Sequence, residues 1–468
     1  MTMSLESRLR EIMRQGAQGA QGAQGAQGAQ GAQGAQGAQG ARGAQGAQGT
    51  SPSGSRVSQA ADVFDGDILQ TSSGACVVVD RFYPADHCHG LVRIGDVPGR
   101  ALAAQEELSL IGGEPEPLDR EPRALLFVDL ETTGLAGGAG TYAFLVGCAY
   151  FEPHGFRIRQ YFLPGYQHER PLLDAVEGLV RASAGLVSYN GKSFDVPVLE
   201  TRYQFNRLAP PFEGMAHVDM LHVARRFWRA APAGPGAWPD TDSCRLAALE
   251  RILFGVRRVG DVGGYEIPSR YFDFMRTGNA VPLLPVLEHN RLALLSLAMM
   301  TARALHVLRL APEGCTSARE SLAAGRLLDR GGRGELAMRC FEDAVERARH
   351  ERGGEAGLVR AEALHSLALH LRRQGRYDDA AVRWHALVSE RRSSPAVRRE
   401  ALEALAIHYE HRQTDLDEAR RFAALSLAER VGTSGMEAGR HRVARLDRKL
   451  AVRTKGPEEP GPFLFLQD

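Results

Sequence analysis

The order of strand-like and helix-like apolar patterns in the middle of the chain constrains the fold most. Three strand-like runs lie within residues 124–162, helical spacing follows at 170–182, and another strand-like run occupies 185–189. Further helical spacing occurs at 195–205, 221–227, 245–253 and 283–305. Strands first, then strands alternating with helices, indicate an α/β sheet with helices packed on it.

Two acids, Asp129 and Glu131, end the first of these runs. Because side chains two positions apart on a strand point to the same face, both carboxylates are expected to project together. The segment Thr132-Thr133-Gly134 predicts a tight turn that leaves this face open. Hard divalent cations prefer such oxygen ligands, and a pair of them can activate water and stabilise the leaving oxygen in phosphodiester cleavage.

A third acid, Asp195, opens a predicted helix after a turn that carries Asn190-Gly191 and Lys192. A carboxylate at this position is stabilised by the helix N-terminus. From the residues alone it is either a third metal ligand or a helix N-cap. Its occurrence together with Asp129 and Glu131 favours the ligand.

The motifs DLETTG at 129–134, YNGKSFDVPVL at 189–199 and HVDMLHVARRFW at 217–228 resemble, in this order, those of DEDD-type 3′–5′ exonucleases, most closely the YprB-type ribonuclease H-like branch. The resemblance implies a ribonuclease H-like mixed sheet flanked by helices, bound Mg²⁺ or Mn²⁺, and hydrolysis of DNA or RNA phosphodiesters. The metal ligands that it implies are Asp129, Glu131 and Asp195. The substrate contacts that it implies are Thr132, Thr133, Gly134, Asn190 and Lys192.

The chain departs from this pattern in the predicted helix that starts near Leu283. The family places a metal-binding aspartate three residues after Asn290, and the residue there is Ala293. His289 lies one helical turn before that position, on the same face. It matches the residue that orients the attacking water in related enzymes, so we expect it to be the fourth catalytic residue, beside Asp129, Glu131 and Asp195.

Several other acids are candidates for the missing ligand. Asp219 belongs to a segment that usually opens a packing helix, and Glu288 points away from the face of His289. Asp261 and Glu266 lie in a Gly-rich loop that the sequence cannot place. Loss of one of four carboxylates is expected to weaken metal binding, because affinity follows the charge of the ligands. Two cations near Asp195, Lys192 and Arg202, are candidates for phosphate contacts.

Beyond Ala318 the sequence is helical throughout, and two segments resemble tetratricopeptide repeats, with a third, degenerate one before them. The alanines at 337, 380 and 419 are 43 and 39 residues apart, longer than the usual ~34. Helical hairpins that dock a protein partner are therefore predicted, and an ordinary helical bundle remains the alternative.

The predicted domains are a disordered N-terminus at 1–55 with eleven Gly-Ala-Gln-type triplets, a small β-rich segment and linker at 56–122, the ribonuclease H-like exonuclease domain at 123–308, tetratricopeptide-like repeats at 318–450, and a tail at 451–468. Within the second, His87-Cys88-His89 is more typical of polar surface than of a metal site. A net charge of +1 predicts only local basic surface. Six scattered cysteines and the lack of a long apolar run predict a cytoplasmic protein without a membrane span.

The function predicted from the sequence is a divalent-metal-dependent nuclease of the 3′–5′ exonuclease type, with its activity in question because of Ala293. Two alternatives remain open. One is a catalytically weakened nucleic-acid-binding protein, and the other is an interaction scaffold in which the repeats carry the function.

Overall fold

The computed structural model describes residues 52–113, 123–134, 138–229, 244–351, 355–429 and 436–455. The Gly-Ala-Gln triplets, most of the predicted linker and most of the predicted tail lie outside these ranges. The chain divides into two compact units. The first unit comprises the chain up to Arg225 together with the segment from Cys244 to Leu305. The second unit comprises all other residues.

A seven-stranded mixed sheet forms the centre of the first unit, with the strand order β1-β2-β7-β6-β5-β8-β9. These strands are β1 (Asp67–Thr71), β2 (Gly74–Pro84), β5 (Leu125–Thr132), β6 (Ala143–Glu152), β7 (Gly155–Phe162), β8 (Gly185–Ser188) and β9 (His217–Asp219), while β3 (Cys88–His89) and β4 (Val92–Arg93) form a separate pair. Along this order the neighbours β1, β2, β7, β6 and β5 pair antiparallel with one another. Strand β5 then pairs parallel with β8, and β8 pairs parallel with β9. The sequence predicted the positions of β5, β6 and β8 because their runs are almost wholly apolar, as expected for strands buried on both faces, and that of β7 because polar and apolar residues alternate along it.

Helices pack on this sheet. They are α1 (Pro52–Phe64), α2 (Glu107–Ile111), α3 (Glu169–Arg181), α4 (Asp195–Phe205), α5 (Met220–Phe227), α6 (Leu246–Phe254), α7 (Ile267–Thr277) and α8 (Leu284–Arg309). The predicted fold class, an α/β domain with a mixed sheet flanked by helices followed by an all-α region, is confirmed.

The segment predicted as a small β-rich piece of its own contributes two strands, β1 and β2, to the main sheet. Strand β2 pairs with β7 from Val77↔Phe162 to Pro84↔Gly155. Helix α1 covers the same region, where the ring of Phe64 meets the edge of Phe162 at 5.0 Å between centroids. Pairing between strands so far apart in sequence leaves no local pattern, so the apolar run of β2 did not reveal its partner.

Helix α8 is the long core helix of this unit. The stretch Val281–Arg309 is long and apolar enough to cross a membrane, yet 78% of its most apolar window is buried inside the protein. Its apolar residues are therefore accounted for by packing, as in the core helix of a globular domain.

The second unit consists of successive helices: α9 (Ala318–Arg330), α10 (Gly334–His350), α11 (Ala356–Arg373), α12 (Tyr377–Ser389), α13 (Pro395–His408), α14 (Leu416–Ala428) and α15 (Met436–Lys455). Side-chain N-caps begin several of them; Ser317 accepts a hydrogen bond from the Glu320 amide, and Asp415 accepts one from the Glu418 amide. The alanines at 337, 380 and 419 are buried in α10, α12 and α14. Their identity as tetratricopeptide repeats remains a prediction.

Candidate active site

The parallel strands β5, β8 and β9 bring their carboxyl ends to one edge of the sheet. Asp129 and Glu131 lie in the last four residues of β5, Asp195 begins α4 after β8, and Asp219 is the last residue of β9. Ligand sites of α/β sheets form outside the carboxyl ends of their strands. This edge therefore collects most of the acids that the sequence singled out.

Asp195 is held directly against β5. The backbone amides of Leu130, which lies between Asp129 and Glu131 in the sequence, and of Asp195 itself lower the pKa of its carboxyl, against the larger opposing effect of burial. The turn before α4 is closely packed: a Cβ on Gly191 would stand 2.9 Å from an Asp195 carboxylate oxygen. Glycine at 191 thus allows the chain to pass beside the third acid.

Glu131 and Asp195 are buried, Asp129 is half-buried, and the three carboxylates share one electrostatic environment. Burial raises the pKa of Asp129 to about 6, against the opposing effects of His289, Arg258 and the hydrogen bond from Asn290. Burial, followed by the charges of Asp129 and Asp195, raises the pKa of Glu131 well above its ordinary value. Burial and the charge of Asp129 do the same to Asp195. Acids whose pKa values are raised by burial, and in two of the three also by neighbouring carboxylates, are typical of functional sites.

Asn290 fixes the position of Asp129 from the opposite side. This fully buried residue of α8 donates through Nδ2 to a carboxylate oxygen of Asp129 at 2.9 Å and to its backbone carbonyl at 2.9 Å. Its own Oδ1 accepts from Gln160 Nε2 at 2.9 Å. Gly147 on β6 makes room, since a Cβ there would stand 2.2 Å from Asn290 Oδ1.

The structure thus assigns Asn290 and Gln160 a positioning role that the sequence did not predict. Asn290 served there only to locate the position of Ala293, and Gln160 was one residue of an alternating strand. A polar residue at an inward position of β7 was the available signal, because buried amides require partners.

His289 also lies at this site, and its ring is oriented by an acid from the Gly-rich loop. His289 Nδ1 is 2.7 Å from a carboxylate oxygen of Asp261, and the hydrogen bond and charge of His289 keep the pKa of Asp261 below its ordinary value despite burial. The charge of Asp261 acts in turn on Glu131. The loop that the sequence could not place therefore reaches the candidate site.

A buried cation, Arg258, lies next to this pair. Its guanidinium forms two hydrogen bonds to Glu250, at 2.6 and 3.0 Å, and both side chains are almost fully buried. Its Nη1 is 3.5 Å from Asp261 and 3.4 Å from the His289 carbonyl. Its charge lowers the pKa values of Asp129 and Glu131.

Glu250 is itself held by a buried polar chain. Ser296 on α8 donates to Glu250 at 2.6 Å, and His89 Nε2 is 2.8 Å from the Ser296 hydroxyl. Burial lowers the pKa of His89 to about 3, so this ring stays neutral. The interpretation of residues 87–89 as polar surface is therefore wrong for His89, which is 4% exposed because it supports the Glu250–Arg258 pair.

Comparison with known proteins agrees with this geometry. The family model of the RNase_H superfamily matches residues 126–305, which contain all but the first residue of β5, the strands β6 to β9, and all four predicted catalytic residues. Residues 126–305 form a ribonuclease H-like domain.

Two further similarities extend beyond this domain. The chain is 28% identical over 379 residues to the Bacillus subtilis (strain 168) protein called Uncharacterized protein YprB, covering 80% of this chain and 86% of that protein. A structure of the family B DNA polymerase from the archaeon Pyrobaculum calidifontis matches with 11% identity and a TM-score of 0.32, covering 82% of this chain and 71% of that one.

Asp219 serves the ribonuclease H-like domain as a backbone clamp. Its Oδ1 accepts from the amides of Asn190 at 2.8 Å and Leu221 at 3.0 Å, and its Oδ2 accepts from the amide of Lys192 at 3.2 Å. Asn190 adopts the left-handed conformation with φ 68°, which this clamp stabilises. With both oxygens engaged by amides, Asp219 shapes the turn before Asp195.

The predicted substrate contacts occupy the two turns beside the acids. The hydroxyl of Thr132 donates to the Gly134 carbonyl at 2.9 Å, and the hydroxyl of Thr133 accepts from the Tyr142 amide at 2.9 Å. These bonds form the predicted tight turn after β5. Asn190 lies in the clamped turn, and the side chain of Lys192 is exposed. Their substrate contacts remain predictions.

The hypothesis that Arg202 contacts phosphate is wrong. Arg202 is 0% exposed, and two of its nitrogens donate to Glu169 at 2.6 Å each. Its guanidinium also lies 4.0 Å from the ring of Tyr142. These contacts pin α4 to the start of α3, so this arginine is part of the core.

The donor set at this edge suits a hard divalent cation, since it consists of carboxylate oxygens whose pKa values are raised chiefly by burial. The Asp129 carboxylate is engaged by a protein donor, Asn290. Over the ranges that the structure describes, no three acidic, histidine or cysteine side chains are arranged to hold one metal ion. Binding would therefore require rotation of these carboxylates.

Proposed function

We propose that the ribonuclease H-like domain is a divalent-metal-dependent nuclease, of the 3′–5′ exonuclease type, that hydrolyses phosphodiesters of DNA or RNA. The observation that carries the proposal is the grouping of Asp129, Glu131 and Asp195 at one sheet edge beside His289, with the pKa of each acid raised above its ordinary value, chiefly by burial. Domains of this superfamily typically depend on divalent metal. We propose Mg²⁺ or Mn²⁺ as the ion.

Asp129, Glu131 and Asp195 would hold the metal, which supplies Lewis-acid stabilisation of charge on the phosphate and on the leaving oxygen. The remaining roles belong to the chain. Asn290 keeps Asp129 at the edge of β5, and the clamp of Asp219 presents Asn190 and Lys192 toward a substrate strand. The turn at Thr132 and Thr133 keeps the face of the acids open.

His289 would orient and deprotonate the attacking water through Nε2. Two neighbours of His289 Nδ1 favour different tautomers. A hydrogen bond to the Asp261 carboxylate needs a proton on Nδ1, whereas a hydrogen bond from Arg258 Nη1, at 3.2 Å, needs a lone pair there. The Asp261 contact is shorter by 0.5 Å (3.2 against 2.7 Å), and an ionised carboxylate can only accept, so this contact places a proton on Nδ1. Arg258 has another acceptor in the His289 carbonyl. The Nδ1–H form is therefore favoured, and Nε2 keeps the lone pair that a base needs.

Ala293 reduces the proposed site to three carboxylate ligands. Ala293 is buried on α8, four residues after His289. The acid that the structure adds nearby, Asp261, is engaged by His289 and Arg258 and so does not replace a ligand at 293. We expect weak metal affinity and slow hydrolysis that responds better to Mn²⁺ than to Mg²⁺.

The decisive experiment is hydrolysis of end-labelled single-stranded DNA and RNA by the full chain in Mn²⁺. Products that shorten one nucleotide at a time from the 3′ end are expected, and Asp129→Ala should abolish them. Ala293→Asp, which restores the fourth carboxylate, should increase the rate. Hydrolysis that persists in Asp129→Ala would contradict the assignment of the site.

The second unit would dock a protein partner in the cytoplasm, and this part of the proposal rests on its successive helices alone. Stacked helical hairpins leave a continuous surface suited to an extended segment. A chain that binds nucleic acid or a protein partner without any hydrolysis in Mn²⁺ would instead support the weakened-nuclease or scaffold alternative.

A further inference from the structure

A basic groove lies near the end of the second unit, between the turn after α13, the start of α14, and α15. Its volume is about 880 Å³. The residues that line it are Glu410, Thr414, Leu416, Arg445, Arg448, Lys449, Val452 and Arg453. Four cations against one acid give the lining a formal charge of +3, in a chain whose net charge is only +1. This is the kind of local basic surface that the overall composition leaves room for.

The single acid of the groove fixes two of the cations in place. Glu410 has a side chain that is 0% exposed, and it accepts from both terminal nitrogens of Arg445, at 2.5 and 2.6 Å, and from Lys449 at 2.7 Å. Arg445 and Lys449 remain 32% and 43% exposed. A guanidinium has five N–H donors and an ammonium three. Both cations therefore keep donors for a second, incoming anion.

The other two cations are exposed on the same helix. In the part of the chain that the structure describes, Arg448 and Arg453 have no ion-pair partner, and both side chains are exposed. Their charges are not neutralised by the protein, so they account for most of the positive potential of the groove.

The cations are spaced regularly along α15. Arg445, Lys449 and Arg453 follow one another at intervals of four residues, which places them on one face and about 6 Å apart along the helix axis. Phosphates on one strand of a duplex rise by ~3.4 Å, and an unstacked strand spaces them more widely. Apolar surface lies between the charges: Val452 is 74% exposed, and Leu416 lines the same groove. A row of cations with apolar patches matches alternating phosphates and sugars or bases better than a single small anion.

We propose that this groove binds the phosphodiester backbone of a nucleic-acid strand. The site is separate from the carboxylates of the ribonuclease H-like domain, and the proposal holds whether or not hydrolysis is found there. It gives the second unit a nucleic-acid contact of its own, in addition to any protein partner.

The test is the salt dependence of oligonucleotide binding by the full chain. Fluorescence anisotropy of a labelled oligothymidylate is measured in EDTA, which prevents cleavage, over a series of KCl concentrations. The test variant is Arg448→Glu with Arg453→Glu. The matched control, Arg372→Glu with Arg391→Glu, makes the same change in net charge at exposed arginines outside the groove lining.

We expect the groove variant to bind about tenfold more weakly, and its slope of log K against log salt to fall by about 1.4, because each phosphate contact to a single strand contributes ~0.7. The control should match the wild-type chain, and lysines at both groove positions should preserve the slope. Equal losses in test and control variants, or no loss in either, would overturn the proposal. Displacement of the oligonucleotide by polyglutamate as readily as by unlabelled oligonucleotide would also overturn it, in favour of an acidic protein segment. Asp129→Ala tests whether the two sites act independently. It should abolish hydrolysis in Mn²⁺ but leave the slope of log K against log salt for oligonucleotide binding unchanged.

Discussion

Replacement of Asp129 by asparagine should stabilise the metal-free protein at neutral pH. Burial raises the pKa of Asp129 from 3.8 to about 6 in the folded state. The folded protein thus binds this proton more tightly than the unfolded chain does. Protonation of Asp129 therefore stabilises the folded state. This contribution to the free energy of unfolding is complete below pH ~4 and is lost as the pH rises through about 6. A difference of about two pK units corresponds to about 3 kcal/mol at 1.36 kcal/mol per unit.

Asparagine has nearly the same shape as aspartate but no ionised form, and its Oδ1 can still accept the hydrogen bond from Asn290. At pH 8 without metal, Asp129→Asn should therefore recover up to about 3 kcal/mol. For a domain of this size, this corresponds to a melting temperature higher by roughly 6 to 12 °C. At pH 4 both proteins carry a neutral side chain at 129 and should melt together.

Differential scanning calorimetry of the full chain in EDTA, from pH 4 to pH 8, measures this effect. Asp62→Asn is the matched control, because Asp62 is an exposed acid on α1 of the same unit. Added Mn²⁺ should reverse the order of the melting temperatures, since it stabilises the wild-type site by mass action and the variant lacks one ligand. A variant that melts no higher than the wild-type chain at pH 8, or that gains as much at pH 4, would refute the argument that burial of this charge costs stability.

Four further predictions follow from the contacts of the site. Glu250→Gln should destabilise the domain by about 3–5 kcal/mol, because it removes the closest acidic partner of the buried Arg258 charge; calorimetry of this variant, of Arg258→Met and of the double variant should show that the losses are not additive. Gly147→Ala should cost about 1–3 kcal/mol, because its Cβ would overlap Asn290 Oδ1; an unchanged melting temperature would show that Asn290 moves freely. Histidine ¹⁵N NMR, with the signal assigned by loss in His289→Gln, should find the proton of neutral His289 on Nδ1, and Asp261→Asn should shift it toward Nε2. Removal of the Gly-Ala-Gln triplets at 16–48 should change neither the melting temperature nor any hydrolysis, because the triplets carry no side chain large enough to offset the entropy of ordering.

The sequence predicted the parts of the fold that are recorded in local patterns. Buried strands such as β5 and β6 are continuous apolar runs, and the acids at the end of β5 are two residues apart. The position of Asp195 at the start of α4 followed from a strand, a turn and a helix in succession. Each of these features depends on neighbours within a few residues, so a single sequence suffices to find them.

The parts that were missed depend on contacts between distant segments. Asn290 meets Asp129 across 161 residues of sequence, and His89 reaches Ser296 across 207. Arg202 had the appearance of a phosphate-binding arginine because its partner, Glu169, lies 33 residues earlier. No spacing rule connects such residues. Only the requirement that a buried polar group be paired hints that they have partners.

The charges at the site indicate that Arg258 does not replace a metal ion in neutralising the carboxylates. Arg258 and His289 both lower the pKa of Asp129, yet burial outweighs them and the pKa remains raised to about 6. The reason lies in the partners of Arg258: Glu250 already neutralises the guanidinium, and Asp261 adds a further negative charge nearby. The field that reaches Asp129 and Glu131 is therefore that of a paired cation, weaker than that of a bare one. The charge of Arg258 does not offset the cost of ionising these acids at neutral pH. A bound divalent cation would stabilise their ionised forms, which otherwise take up protons. For this reason we expect metal binding to release protons from the site, even though Ala293 leaves it one carboxylate short.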